Sequence, residues 1–508
     1  MCSLVFLCAK KVVSDHSSIR KALDFIPKEL FPVLFKAAFV DKKTLVLHDL
    51  VHRWPFSVLS FQKLLQNTGG PDFQEKPSKL CVQTVVLGVI AYLNESLKLG
   101  DQQHNARRQQ LRLLDMTGLQ DGGTDPEAVS LWSQTVALAK ACIEVSKRQR
   151  EEAKRAWKRR KGMGNALVPA PALKDQMYVE VRMDLFVNST SSGVLREALQ
   201  VSTSSPLRLK CRDFRAEELP IRSTVELLEL LDSGSVRQVD LRFNNLGLSG
   251  LNMLLPYMAK FKGLLSLKLP YNNIDVRRLS AEMDKGLQSF ATELGRLSSL
   301  KELNLGSSRL SGRLRQLLSC LHNPLESLEL EFCYLLPSDI SYLSESIHAS
   351  SLKKLDLSGN NLSDLVQQPF KRLLSQVSST LIYLDIMECK LTDAHLGAIL
   401  PSLCLCKKLR YLGLYWNPVS CQGLKTLLLH TIALVDLQLV IYPCPVDCYD
   451  DSLPRHPSLS HNRHGILMHE KLAQLTGDLH LMLAEAQRTD MIWTTDLYKD
   501  KALEYLNL

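Results

Sequence analysis

The pattern Leu-x-x-Leu-x-Leu-x-x-Asn/Cys-x-Leu recurs along the middle of the chain and limits its possible folds more than any other feature. Val236, Val239, Leu241, Asn244 and Leu246 make one copy, and Leu264, Leu267, Leu269, Asn272 and Ile274 a second. Ser308 takes the Asn place in the copy from Leu300 to Leu310, and Cys333 in the copy from Leu325 to Leu335. Leu352 to Leu362 carries Asn360, Leu381 to Leu391 carries Cys389, and Leu409 to Val419 carries Asn417. Leu434, Leu437 and Leu439 begin an eighth copy without the Asn. The starts are separated by 28, 36, 25, 27, 29, 28 and 25 residues.

Such a repeat places one short strand in each copy. The apolar positions on either side of it face the interior of a solenoid. The Asn or Cys sits at the turn leaving the strand, where it can bond backbone groups that no strand pairs. The remainder of each copy, such as Arg313–Leu318 and Ala394–Leu400, reads as an outer helix. The expected fold is therefore α/β: a leucine-rich repeat solenoid, curved as a horseshoe with helices on the convex face, preceded by an N-terminal helical region.

The chain divides into residues 1–60 (helical), 61–235 (irregular early repeats), 236–442 (regular repeats) and 443–508 (a C-terminal cap). The early repeats are read from Leu111–Leu119, Tyr178–Val187 and Leu207–Cys211, and the cap from the amphipathic stretch Ile466–Ala484. With 45% apolar and 23% charged residues among 508, disorder over most of the chain is excluded. The 13 cysteines are scattered and odd in number, which fits reduced thiols. No basic region precedes the apolar run before Lys10-Lys11, so no secretory signal is expected. The run Val82–Leu93 is shorter than the ~20 residues a bilayer needs. The expected location is cytoplasmic, with the nucleus as a second option.

Net charge is +9, and Lys147–Lys161 alone carries +7 of it (nine basic, two acidic). That segment continues a helical pattern from Leu131 to Val145 and meets Gly162. It reads as a solvated helix extension, or as a nuclear-localisation or acidic-partner patch. Nothing else supports sequence-specific nucleic-acid binding.

Catalytic and metal chemistry have no candidates, so neither catalytic residues nor cofactors are assigned. Phosphate-loop, dinucleotide and zinc-protease motifs are absent. Cys404-x-Cys406 and Cys444-x-x-x-Cys448 are the closest cysteine pairs; neither has a second matched pair, so no structural zinc is expected. His461, His464 and His469 read as a surface loop, and Cys2 and Cys8 as packing residues.

The first residues follow another logic. Leu4, Cys8 and Val12 step by four along one helix face, with Ser3 as N-cap. After a polar spacer, Ile26, Leu30 and Leu34 step by four again, with Pro27 suited to a first helical turn. Pro32 distorts that helix unless it begins a new one. Both segments can cap the N-terminal end of the solenoid. The pair of strings also resembles the elongin BC-box (Ser3, Leu4, Cys8, Val12) and the cullin-2 box (Ile26, Pro27, Leu30, Leu34) of ubiquitin-ligase substrate receptors. That resemblance implies that Leu4 fills a pocket on elongin C with Cys8 beside it, and that Ile26–Leu34 meets the cullin.

Over the whole chain, Pro27–Phe39, Leu50–Phe56 with Trp54-Pro55-Phe56, Leu241–Leu248, Leu355–Asn360, Pro445–Tyr449 and Trp493–Tyr498 are similar to the PRAME family; the basic segment is the main departure. The resemblance implies a cytoplasmic, non-catalytic regulator that joins a cullin-2-type ligase. It further implies a negative role in Toll-like receptor and NF-κB signalling through the IκB kinase complex. The expected partner surface consists of side chains between the repeat leucines: Arg242, Phe243, Lys268, Tyr271, Glu329, Phe332, Tyr415 and Trp416, with Trp416 as the leading anchor. A ligase-independent scaffold that sequesters a kinase and a nuclear chromatin-associated factor are the alternatives.

Overall fold

The computed structural model describes residues 3–65, 78–98, 111–119, 130–162, 177–277, 280–364, 368–450 and 466–497. The chain forms two compact units, Met1–Val239 and Asp240–Leu508.

The first unit opens with helices α1 (Leu4–Val13), α2 (His16–Ala22), α3 (Phe31–Val40) and α4 (Thr44–His52). Phe31, Phe35 and Phe39 recur every fourth residue along α3 and build an aromatic block with Trp54 and Phe61. Phe35 meets Trp54 edge-on at 5.7 Å, and Phe39 meets Phe61 at 5.6 Å. The buried Trp54 indole donates to the Val58 carbonyl at 3.0 Å, so the Trp54-Pro55-Phe56 string is a core element. Strand β1 (Val58–Ser60), α5 (Phe61–Leu65) and α6 (Lys79–Lys98) follow. The apolar run of α6 buries Cys81, Val82, Val85, Val89 and Leu93 on one face. At Gly88 a Cβ would stand 2.9 Å from the Val51 Cβ, so α6 and α4 pack too closely there for a larger residue. No helix among the described residues is long and apolar enough to cross a membrane.

The rest of this unit is β2 (Leu113–Asp115), α7 (Leu131–Gly162), β3 (Val179–Val187), α8 (Ser192–Ser202), β4 (Leu207–Ala216) and α9 (Ile221–Leu230). Strands β1 to β4 pair in parallel and in sequence order, with Leu59 opposite Leu114, Leu114 opposite Val181, and Val181 opposite Leu209. The ladder thus starts at Val58, earlier than the first strand expected at Leu111. A three-residue strand shows too little alternation to be read from sequence.

Strand β5 (Gln238–Asp240) lies at the division. The second unit then alternates helix and strand: α10 (Gly247–Met258), β6 (Ser266–Lys268), α11 (Ala281–Gly295), β7 (Glu302–Asn304), α12 (Leu314–Leu318), β8 (Ser327–Glu329), α13 (Pro337–Glu345), β9 (Lys354–Asp356), α14 (Pro369–Val377), β10 (Tyr383–Asp385), α15 (Asp393–Leu403), β11 (Tyr411–Gly413), α16 (Cys421–Thr431) and β12 (Leu439–Ile441). A leucine-rich repeat solenoid is therefore present, and its strands are parallel and in register. Leu267, Leu303, Leu328, Leu355, Leu384 and Leu412 stack as one line of fully buried side chains. Helix length absorbs repeat length: the longest copy holds the 15-residue α11, whereas a 25-residue copy holds the five-residue α12.

The eighth copy is in a different register from the one its leucines suggest. Val440, not Leu437, pairs with Leu412. The copy therefore starts at Leu437 and runs through Val440 and Tyr442, all buried, while Leu439 is only half-buried. Leu434 packs at the end of the preceding helix instead. Leu434, Leu437 and Leu439 reproduce the Leu-x-x-Leu-x-Leu spacing without being the paired triplet.

The cap is more than the amphipathic stretch. Strands β13 (Tyr449–Asp450) and β14 (Ile466–Leu467) pair antiparallel, α17 (His469–Glu485) buries Leu475, Leu479 and Leu483, and β15 (Ile492–Thr494) adds a further parallel strand beside β12, with Trp493 against Val440. The nine-tenths-buried Arg488 donates to the carbonyls of Ile432, Leu434, Val435 and Leu437 at 2.8–3.3 Å, closing the chain end that leaves α16.

The Asn and Cys positions do what their place in the repeat requires. Asn360 Nδ2 donates to the Leu330 carbonyl of the preceding repeat at 2.9 Å and to its own Leu357 at 2.8 Å, while its Oδ1 accepts from Leu335 N at 3.1 Å. Asn272 and Asn417 repeat this geometry. Cys333 and Cys389 place Sγ 3.3 Å from the corresponding carbonyls of Leu305 and Leu357. Replacing Asn360 with Ala leaves these buried groups unpaired. We expect a loss of about 2–4 kcal/mol in urea denaturation followed by circular dichroism, against a smaller loss for Ala at the half-buried Asn244.

Candidate protein-interaction surfaces

Helix α1 has two faces of opposite use. Ser3 caps it, its hydroxyl accepting from Phe6 N at 3.2 Å. Phe6, Ala9 and Val13 are buried, Lys10 and Lys36 lie over the Phe6 ring, and Lys10 pairs with Asp41 at 2.9 Å. Leu4 (76% exposed), Cys8 and Val12 (46% exposed) point outward, joined by the exposed Val5 and Leu7. The helix therefore packs by its inner face and presents an apolar outer face.

The second box is split. Pro27 precedes a single 3-10 turn, Lys28–Leu30, and α3 starts afresh at Phe31 with Pro32 in its first turn. Ile26, Leu30 and Leu34 therefore do not share one helix face. Ile26 is half-buried, Pro27 and Leu30 are exposed, and Leu34 is buried beside Phe35. The neighbouring Phe25, 87% exposed, carries no periodic signal in the sequence.

In the second unit, the residue just before each ladder Asn, Ser or Cys adopts the left-handed conformation: Phe243, Tyr271, Ser307, Phe332, Gly359, Glu388 and Trp416, with φ between 53° and 70°. Glycine or asparagine suits such a site, and a bulky residue there costs roughly 1 kcal/mol or more. Four of the seven are aromatic, and all four are at least 40% exposed. Phe243 and Tyr271 stack at 4.6 Å, Tyr415 and Trp416 lie 6.1 Å apart, and Phe332 sits over Gly359, where any Cβ would run into its ring. Neither local conformation nor burial accounts for aromatic residues here.

The charged candidates behave differently. Lys268 is buried rather than offered to a partner, pairing with the fully buried Glu302 at 3.5 Å. Arg242 folds back on Asp240 at 2.6 Å, and Glu329 holds Lys354 at 3.2 Å. Strands ~4.8 Å apart bring equivalent side chains into contact, so long ones cover each other. Tyr383 and Tyr411 do the same, stacking at 4.0 Å with both hydroxyls 3.3 Å from Asp385.

Carboxylates outnumber cations in this lattice. Burial raises Glu302 above the ordinary range despite Lys268; burial, then Asp385 and Glu331, raise Asp356 well above it. Burial and Glu329 push Glu331 up to about 7. Donor atoms of Glu329, Glu331 and Asp356 lie within 4.8 Å of one another, as do those of Cys421, Asp447 and Cys448. In α7, core contact ends at Ser146; beyond it, Arg148 pairs with Glu144 and Arg155 with Glu151 on an exposed helix. His461 and His464 lie outside the described residues, and His469 is exposed at the start of α17.

A carboxyl held up to about 7 contributes stability that is present below its unfolded value near 4.5 and lost as pH rises through 7. Glu331→Gln should thus raise the urea midpoint at pH 8 and leave it nearly unchanged at pH 5. An equal shift at both pH values would contradict the placement of that carboxyl.

The family models for the PRAME N-terminal domain and the PRAME C-terminal domain match residues 2–122 and 200–503. The chain is 62% identical to Leucine-rich repeat-containing protein 14 of Xenopus laevis and 47% identical to that of Homo sapiens, with all of both chains covered in each case. It is 28% identical to human PRAME family member 20 over 94% of this chain and 90% of that one. Among solved structures, the leucine-rich repeat-containing protein LegL7 from Legionella pneumophila is 19% identical with a TM-score of 0.36, covering 61% of this chain and 97% of that one. An N-terminal aromatic core around Trp54, a parallel strand ladder and full-length similarity agree: the chain belongs to the PRAME family, a leucine-rich repeat family suited to protein interaction.

Proposed function

We propose that the chain is a non-catalytic adaptor that acts as a substrate receptor of a cullin-2-type ubiquitin ligase. The outward Leu4–Cys8–Val12 face of α1 carries this reading. Leu4 fills an apolar pocket on elongin C, where full burial of such a side chain is worth about 1.5–3 kcal/mol, and Cys8 and Val12 extend the contact. Ile26, Pro27 and Leu30 meet the cullin, and Leu34 anchors their turn from inside. The aromatic row Phe243, Tyr271, Phe332 and Trp416 receives the protein substrate. The family resemblance supports a cytoplasmic negative regulator of Toll-like receptor and NF-κB signalling, with the IκB kinase complex as the partner.

Leu4 and Cys8 are exposed, so Leu4→Ala with Cys8→Ala should leave far-UV circular dichroism unchanged. Elongin B/C recovery should fall at least about 30-fold, the effect of losing a single hot spot. Equal recovery from both proteins sinks the docking role and leaves a scaffold that sequesters the kinase without a ligase. In affinity purification with mass spectrometry, Trp416→Ala should lose substrate partners while retaining the elongins. Unchanged partners would remove Trp416 from the binding surface.

A further inference from the structure

The spacing Cys444-x-x-x-Cys448 falls in the range that zinc sites use but has no matched second pair along the chain. The fold supplies another donor. Cys421 is the first residue of α16, and Cys448 ends a one-turn helix, Val446–Cys448, in the next repeat. The two are 27 residues apart, yet their Sγ atoms stand 3.6 Å from each other. Cys448 is buried, Cys421 half-buried and Asp447 exposed. The Asp447 carboxylate accepts from Cys421 N at 2.9 and 3.2 Å, which holds it beside the sulfurs. Both sulfurs and a carboxylate oxygen lie within 4.8 Å of one another.

We propose that Cys421, Cys448 and Asp447 bind one zinc ion, with water in the fourth position. Two thiolates on a tetrahedral zinc with bonds of ~2.3 Å are separated by about 3.8 Å, close to the spacing found here. Two sulfurs with a carboxylate oxygen suit zinc better than a hard cation such as magnesium or calcium. Binding is balanced by proton release: two thiols give up two protons as two zinc–sulfur bonds form.

A disulfide is the competing use of this pair. Their Sγ atoms stand 3.6 Å apart, well beyond the ~2.05 Å of a sulfur–sulfur bond, and both thiols are free. Two nearby lysines are engaged elsewhere: Lys425 pairs with Asp478 at 2.7 Å, and Lys471 reaches the Asp447 backbone carbonyl at 3.5 Å. The place in the fold gives the ion a purpose. In the eighth copy, counted from Leu437, the ladder position falls on Pro445, which offers no side-chain hydrogen bond. A metal joining α16 to the Val446–Cys448 turn ties that repeat to its predecessor where the ladder stops.

The test uses the reduced full-length chain titrated with Co²⁺ and then Zn²⁺. Wild type should bind one Co²⁺ with thiolate charge-transfer absorption in the near-ultraviolet, displaced by Zn²⁺. Loss of an outer-shell partner alone costs about 10–100-fold in metal affinity, so Cys421→Ser should weaken binding at least about 100-fold with circular dichroism unchanged. Asp447→Asn should weaken it about 10-fold or more. Should Cys448→Ser misfold, the half-exposed Cys421 still carries the test. Absence of the charge-transfer band in wild type, Co²⁺ binding by Cys421→Ser equal to wild type, or recovery of Cys421 and Cys448 as a disulfide would overturn the proposal.

Discussion

Five regular repeats are tied to their predecessors by one buried side chain beneath the turn that leaves the strand: Asn272, Cys333, Asn360, Cys389 and Asn417. At Asn272, Asn360 and Asn417 the amide donates across to the carbonyl of the repeat before, and its oxygen accepts from a backbone N–H of that same repeat. The strand ladder cannot satisfy these groups, because each strand is only three residues long and the chain turns away at once. Where cysteine replaces asparagine, one weak donor does part of the same task. The arrangement keeps the strands in register while letting the helices vary from five to 15 residues.

The same tie sets the direction of the neighbouring side chain. To place the ladder side chain inward, the residue before it takes a left-handed conformation and projects its own side chain outward. The same local geometry recurs in seven repeats, so the six side chains there (Gly359 has none) form a row directed by the backbone. Aromatic residues fill four of these places at a conformational cost. The charged side chains between the leucines are instead consumed within the lattice, as Lys268 with Glu302 and Lys354 with Glu329 show.

Periodicity made the solenoid legible, because a buried Leu-x-x-Leu-x-Leu run in each copy leaves a mark no other fold requires. It also placed Ser3 as a cap and Leu4, Cys8 and Val12 on one face. It failed where pattern and pairing part. Val58–Ser60 is too short to show alternation, and Leu434, Leu437 and Leu439 mimic a copy whose true register begins at Leu437. Exposure of Lys268 could not be read, since burial there depends on the neighbouring strand. Pro32 left two outcomes open, and only the 3-10 turn before it decides that Leu34 faces inward. The meeting of Cys421 with Cys448 has no signal in spacing, because it joins two repeats through their turns.

The adaptor reading rests on α1 using its inner face for the fold and its outer face for a partner. Hydrogen–deuterium exchange of the full-length chain with and without elongin B/C tests this most directly. The account predicts added protection concentrated in residues 4–13, with the repeat strands unchanged. Protection absent from α1, or confined to the repeats, would contradict it.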